Sequence, residues 1–161
     1  MEGLTIAHAI PYIGRAQGGP VVGLAALASA QAEAGYRVAV FCAPRPADGP
    51  EMPFAAAVSV RRAPASAGSF RWCPAIGPEF AAFPAGVAHV HGMWTDLHRR
   101  AAAWARRKRI PCLVAPCGML DAAASERALS VSHGPGRHVP DTTTVAAMTA
   151  RVSTIPDFVA M

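Results

Sequence analysis

Residues 4–43, LTIAHAIPYIGRAQGGPVVGLAALASAQAEAGYRVAVFCA, decide how the fold is read. LTIAHAI (4–10) is a short apolar run of strand length. YRVAVFCA (36–43) is a continuous apolar run of the kind buried on both faces of a parallel sheet. Between them VVGLAALASAQAEAG (21–35) carries apolar residues at helical spacing and ends on Gly35, a helix stop. The link PYIGRAQGGP is longer than a strand-to-helix connection needs. Its Gly14, Gly18 and Gly19 point to backbone conformations or close approaches that a side chain forbids.

The same alternation continues outward. VSVRR (58–62) reads as a short strand after a Pro- and Gly-dense loop, and PEFAAFPAG as a short helix with Pro78 in its first turn. VAHVHG (87–92) is a strand ending at a glycine, and DLHRRAAAWARRKRI (96–110) a helix capped by Thr95 or Asp96. PCLVAPCGML (111–120) starts as a strand and ends in a turn. Strands alternating with helices imply an α/β, Rossmann-like three-layer domain with a mainly parallel sheet. Ligands of such sheets bind beyond the carboxyl ends of the strands, where GRAQGGP, HVHGMW and PCGML all fall, so these three stretches are expected to share one cleft. From residue 122 to 161 the chain turns rich in Ser, Thr, His, Gly and Pro without a sustained period. An irregular tail is expected there, with at most a short helix around 145–151.

Composition narrows the class. At 161 residues the chain accommodates one domain with a real core. Its hydrophobic fraction is 52%, yet no uninterrupted apolar run approaches the roughly 20 residues that span a bilayer, and the start lacks a basic n-region. A soluble, cytoplasmic protein is expected. Cys42, Cys73, Cys112 and Cys117 form no CxxC pair, which argues against a disulfide framework. The net charge of +5 owes much to the basic residues of segment 99–109. These form either a solvated helix face or a surface toward anionic lipid or phosphate. No stacking platform accompanies the charge, so nucleic acid is not an expected partner.

Within the candidate cleft, Gly18 and Gly19 can offer backbone N–H groups at the start of the helix that Pro20 opens, where an anion is favoured. Neither a dinucleotide GxGxxG nor a P-loop is present, which disfavours a nicotinamide-dependent oxidoreductase. His89 and His91 share one strand face, but the sequence shows no third ligand and no metal is expected. His91 either reaches the cleft to bond a sugar hydroxyl or phosphate, or is satisfied by neighbouring backbone. Met93 and Trp94 form either a wall for a ring or part of the core, and His98 is expected on the surface of its helix.

Taken together, PYIGRAQGGPVVGLAALA, VFCA, VAHVHGMWTDLHRRAAAWARR and IPCLVAPCGMLD resemble, in order and over about residues 4–121, the N-terminal half of family-4 retaining glycosyltransferases of the GT-B fold. In particular they resemble bacterial enzymes that build cell-surface polysaccharides. The resemblance implies an acceptor-side domain (1–121) that faces a separate donor-binding domain. It implies transfer from a nucleotide-sugar donor to a glycan or lipid-linked acceptor with retention of configuration, normally without a bound metal or other cofactor. On the lipid-facing reading of its charge, segment 99–109 would make peripheral contact with the inner membrane face. By position the resemblance assigns substrate or donor-phosphate contacts to Gly18, Gly19, His91, Gly92, Trp94, Cys117 and Gly118, and no catalytic residue. The family usually has His or Arg where Cys117 stands, and a thiol at neutral pH supplies no cation. The paired-glutamate donor motif is not recognisable after Asp121, where Glu126 is the one glutamate, as a reading-frame shift or premature end would produce. The expectation is therefore an acceptor-side domain inactive alone, with a stand-alone glycan- or phosphate-binding module as the alternative.

Overall fold

The computed structural model describes residues 4–66, 68 and 70–117. Gly118, the tail from 122 onward and the short helix expected at 145–151 lie outside them. The elements, in chain order, are β1 (Thr5–Ala9), α1 (Gly19–Glu33), β2 (Arg37–Cys42), β3 (Ser59–Arg62), α2 (Ile76–Ala81), β4 (Val87–His91), α3 (Asp96–Lys108) and β5 (Cys112–Ala115). Single 3-10 turns lie at Arg15–Gln17 and Pro46–Asp48. The strands form one sheet in the order β3-β2-β1-β4-β5, and every neighbouring pair is parallel. The α/β Rossmann-like expectation holds. The order reverses between β1 and β4, which makes their carboxyl ends the topological switch point at which such sheets open a ligand crevice.

Side chains alternate across each strand and so feed two cores. Val38, Val40 and Cys42 of β2 pack with Ile10, Ile13 and the α1 stripe Val21, Leu24 and Ala28. Ala39 and Phe41 face the other way, with Ala7, Ala9, Ala88 and Val90, onto Ile76 and Phe80 of α2 and Leu97, Ala101 and Trp104 of α3. The small residues on that face leave room for an aromatic wedge. Phe41 lies 4.6 Å from Phe80 and 6.3 Å from Trp104 by ring centroids, and Phe80 stacks on Trp104 at 5.0 Å.

The glycine stop of α1 is a Schellman closure. Gly35 sits at φ +87°, its N–H bonds the Ala32 carbonyl, and the Tyr36 N–H reaches the Gln31 carbonyl at 3.1 Å. Ending the helix there leaves Gln31 on the buried stripe, one turn beyond Ala28. Phe41→Ala is expected to cost about 3–5 kcal/mol in urea unfolding. Val22→Ala, on the exposed face of α1, should stay within about 0.5 kcal/mol.

Candidate functional site

The glycine loop after β1 is clamped rather than loose. Gly14 bridges Glu51, the Arg15 N–H bonds the Pro50 carbonyl at 2.9 Å, and the Met52 N–H bonds the Ile13 carbonyl at 2.7 Å. A Cβ on Gly14 would collide with the Asp48 carbonyl oxygen, so the close approach expected of this loop occurs at Gly14. Gly18, at φ +76°, is the N-cap of α1. Gly18 and Gly19 are both exposed, and an added Cβ on either would meet open space. A pocket of about 320 Å³ beside Gly14 is lined also by Arg45, Asp48 and Glu51.

After β4 the chain makes two left-handed steps, Gly92 at φ +93° and Trp94 at φ +72°. A tryptophan rarely adopts this conformation, which costs on the order of 1–3 kcal/mol and persists only where its neighbours enforce it. Here they do. The Gly92 N–H bonds Ala115 of β5 at 2.8 Å, and the Asp96 N–H bonds the Phe70 carbonyl at 2.8 Å. Thr95 and His98 close a capping box at the start of α3. Trp94 is 38% exposed, so it is not a core residue. Thr95 rather than Asp96 is the N-cap.

His98 departs from expectation. It is buried, not on the helix surface, because the capping box turns it inward. Its Nε2–H donates to the His91 carbonyl at 3.0 Å, which leaves Nδ1 to accept from the Thr95 N–H at 3.2 Å. Asp96, fully buried, accepts from the Cys73 N–H at 3.0 Å, Arg99 at 2.6 Å and Arg100 at 2.6 Å. Burial alone would raise its pKa, but these three donors together hold it below the usual carboxylate range. Of the basic segment, Arg99 and Arg100 are thus committed to Asp96 and lie over the exposed Trp72 ring, 5.7 and 5.0 Å from its centroid. Arg106, Arg107, Lys108 and Arg109 are exposed at the far end of α3.

The parallel register sets His8 beside His89, and the two-residue period adds His91 on the same face. His8 Nε2 lies 2.7 Å from Gln31 Oε1, an acceptor, so Nε2 carries the proton. His8 Nδ1 then accepts from His91 Nε2 at 2.9 Å. His91 therefore turns its Nε2 toward His8. Burial pushes His8 down to about 4 and His91 down to about 3, with the neighbouring imidazoles adding to the effect, and pushes His98 down to about 4.

Arg71 closes the rim. Almost fully buried, it donates to both oxygens of Asp48 and to the Pro11 and Ala43 carbonyls, so one guanidinium joins the loops after β1 and β2. Its hydrogen bonds hold the Asp48 carboxyl below the usual range against the opposing effect of burial. Cys117 lies at φ +53° with Sγ 3.3 Å from the Ala115 carbonyl. Burial raises its pKa despite an opposing bond to the Gly92 backbone, so the thiol is neutral at pH 7.

The structure thus brings the ends of β4 and β5 together through Gly92 and Ala115, with Cys117 beside them. The glycine loop stands at the neighbouring end of β1. Sequence reasoning missed His8, Arg71, Asp48 and Asp96. His8 sits in an apolar run with no local signal, and the other three are tied across the fold by partners 23 or more residues away, which join the local bonds of Asp48 to Arg45 and of Asp96 to Arg99 and Arg100.

The glycosyl transferase 4-like domain matches residues 18–154, well over half of the chain. The chain belongs to that family. No curated protein matches it. The match opens at Gly18 and runs past residue 121, so Gly18, Gly19, His91, Gly92, Trp94, Cys117 and Gly118 fall within it and His8 does not. Family membership gives this glycosyltransferase-type domain a sugar donor and an acceptor as its general substrates. Among the described residues no helix is long and apolar enough to cross a membrane.

Two outcomes follow from these charges. Arg71→Met should cost about 3–5 kcal/mol in urea unfolding, because it leaves the Asp48 carboxylate buried without its main partner. Arg106→Met, at an exposed site, should cost under about 1 kcal/mol. Folded His8, His91 and His98 bind fewer protons than the unfolded chain below the ordinary imidazole pKa of 6.5. Stability should therefore be highest above that pH and fall between about 6.5 and 4, by a few kcal/mol. Urea midpoints at pH 8, 6 and 5 check this, and a midpoint that is flat or rises toward pH 5 would contradict it.

Proposed function

We propose that this chain is the acceptor-side domain of a retaining, nucleotide-sugar-dependent glycosyltransferase. It acts in the cytoplasm on a glycan or lipid-linked acceptor in cell-surface polysaccharide synthesis. The observation that carries this reading is Trp94. Its indole is presented to solvent beside the switch point of the sheet, on a backbone conformation that costs stability. Strain kept at a ligand crevice is a mark of function, and an indole face is a surface on which a sugar ring stacks. The exposed glycines at the α1 N-terminus support a phosphate-bearing partner nearby.

On this reading, transfer requires the donor side from a second domain. The neutral thiol of Cys117 offers nothing to stabilise a departing diphosphate, the step that electrostatic catalysis must serve. Peripheral contact with an anionic membrane narrows to Arg106, Arg107, Lys108 and Arg109, because Arg99 and Arg100 are held by Asp96. The same neutral thiol favours a second reading, a glycan- or phosphate-binding module without catalysis.

Trp94→Gly separates binding from folding, because glycine adopts the left-handed conformation without strain. Its stability should equal that of the parent or exceed it by up to about 1 kcal/mol. Its affinity for acceptor oligosaccharides, measured by isothermal titration, should fall about tenfold or more. Titrations with UDP, GDP and their sugar conjugates, beside a sugar-transfer assay, should show no turnover by this chain alone. Turnover by the chain alone, or glycan binding indifferent to Trp94→Gly, would overturn the acceptor-side assignment. Transfer restored by adding a donor-domain chain would exclude the non-catalytic module.

A further inference from the structure

We propose that His8, His89 and His91 form a binding site for a zinc-like divalent transition-metal ion, bridging β1 and β4. This goes beyond the glycosyltransferase reading and does not depend on it. One ring nitrogen from each histidine lies within 4.8 Å of the other two, and the ring centroids are 5.3, 5.2 and 4.0 Å apart. The sequence alone shows two of the three ligands. The third arrives through the parallel register that places His8 against His89.

Three features make this a ligand set rather than a packed face. The first is Gln31. A metal-bound histidine characteristically donates its other ring N–H to an oxygen that fixes its tautomer, and His8 Nε2 does so to Gln31 Oε1 at 2.7 Å. The His8 Nδ1 lone pair is thereby aimed at the other two rings. The second is His89. Among the described residues its ring makes no hydrogen bond, yet it is held against His91. A hydrogen-bonded string of histidines needs only His8 and His91, and the third ring adds nothing to it. The third is access. His89 is half-buried, and Leu113, its register partner in β5, is exposed, so the site opens on that side to an ion and to a water as fourth ligand.

Seating the ion needs a shift of all three rings, whose ligand nitrogens lie within 4.8 Å of one another and must draw in around it. Without it, His91 Nε2 donates to His8 Nδ1 at 2.9 Å. A tetrahedral ion with bonds of about 2.0–2.1 Å to nitrogen sets its ligands about 3.3 Å apart. The pair must open by a few tenths of an ångström, and His91 must hold its proton on Nδ1 instead of Nε2. All three ligands stay neutral, so coordination releases no proton. Three imidazoles without a carboxylate suit zinc, copper or nickel and not magnesium or calcium.

The test is isothermal titration of the purified full chain, free of any affinity-tag histidines, with zinc chloride and separately with magnesium chloride. We expect one equivalent of zinc with micromolar or tighter affinity, no magnesium uptake, and a raised thermal midpoint with zinc. His89→Ala, which leaves the His8–Gln31 and His8–His91 bonds in place, should weaken zinc binding at least tenfold. Gln31→Leu, which removes the orienting acceptor, should weaken it by roughly 10–100-fold. Zinc uptake unchanged by both substitutions would assign the ion to other residues, the thiols among them, and overturn the site. A folded chain that takes up no zinc would leave a hydrogen-bonded histidine pair only and overturn it equally.

Discussion

The strand-end surface of this protein depends on one buried guanidinium. Arg71 reaches from the loop before α2 to Asp48 and to the carbonyls of Pro11 and Ala43, so a single side chain holds the exits of β1 and β2 and the turn that follows. A charge taken out of water at this depth persists only if nearly every donor finds a partner, and that requirement dictates where the surrounding loops run. The planar fork of arginine meets it with donors in fixed directions, which the point charge of a lysine would not. The same loop is tied a second time two residues on, where the Cys73 N–H donates to the buried carboxylate of Asp96 at the start of α3. Two buried carboxylates, one on either side of residues 71–73, turn a long irregular segment into a fixed wall.

That rigidity bears on function because a parallel sheet offers its ligand crevice at loops, not within its strands. The clamp of Gly14 against Asp48 and the capping box at Thr95 leave Gly18 and Trp94 presented on supports that cannot relax. The strained tryptophan is the clearest sign, since its backbone would cost less with almost any other arrangement of the strand end. A glycosyltransferase-type domain needs a pre-organised surface for its substrates, and preorganisation lowers the entropy cost of binding them. The histidines among the described residues divide between two kinds of environment. His98 is spent on architecture, sealing the helix start to the strand end. His8, His89 and His91 stack on the opposite side of the sheet from α2 and α3, where neutral rings and a single glutamine replace the aliphatic packing found elsewhere.

Much of the fold was legible because it rests on local periodicity. The continuous apolar run of β2, the 3.6-residue stripe of α1, the glycine at its end and the choice of Thr95 or Asp96 as cap of α3 each carry their meaning within a few residues, and the structure agrees with the first three and selects Thr95. His98 was misread for the same reason that the rest succeeded. A histidine inside a charged run looks solvated, and only its capping partner and the carbonyl of a preceding strand turn it inward. The choice between wall and core for Trp94 was likewise undecidable from its neighbours, because a left-handed backbone leaves no mark in a non-glycine sequence.

By itself the sequence determined the class of the sheet, the order of strands and helices, the glycine loop at the exit of β1 and the resemblance to a glycosyltransferase family. These follow from patterns that a chain writes in its own neighbourhood. Tertiary structure alone decided the convergence of Arg71 on the loops after β1 and β2, the burial of Asp96 beneath two arginines, and the meeting of His8 with a histidine pair 81 and 83 residues downstream. Strand register and loop closure create those juxtapositions, and neither quantity is encoded by the residues that meet.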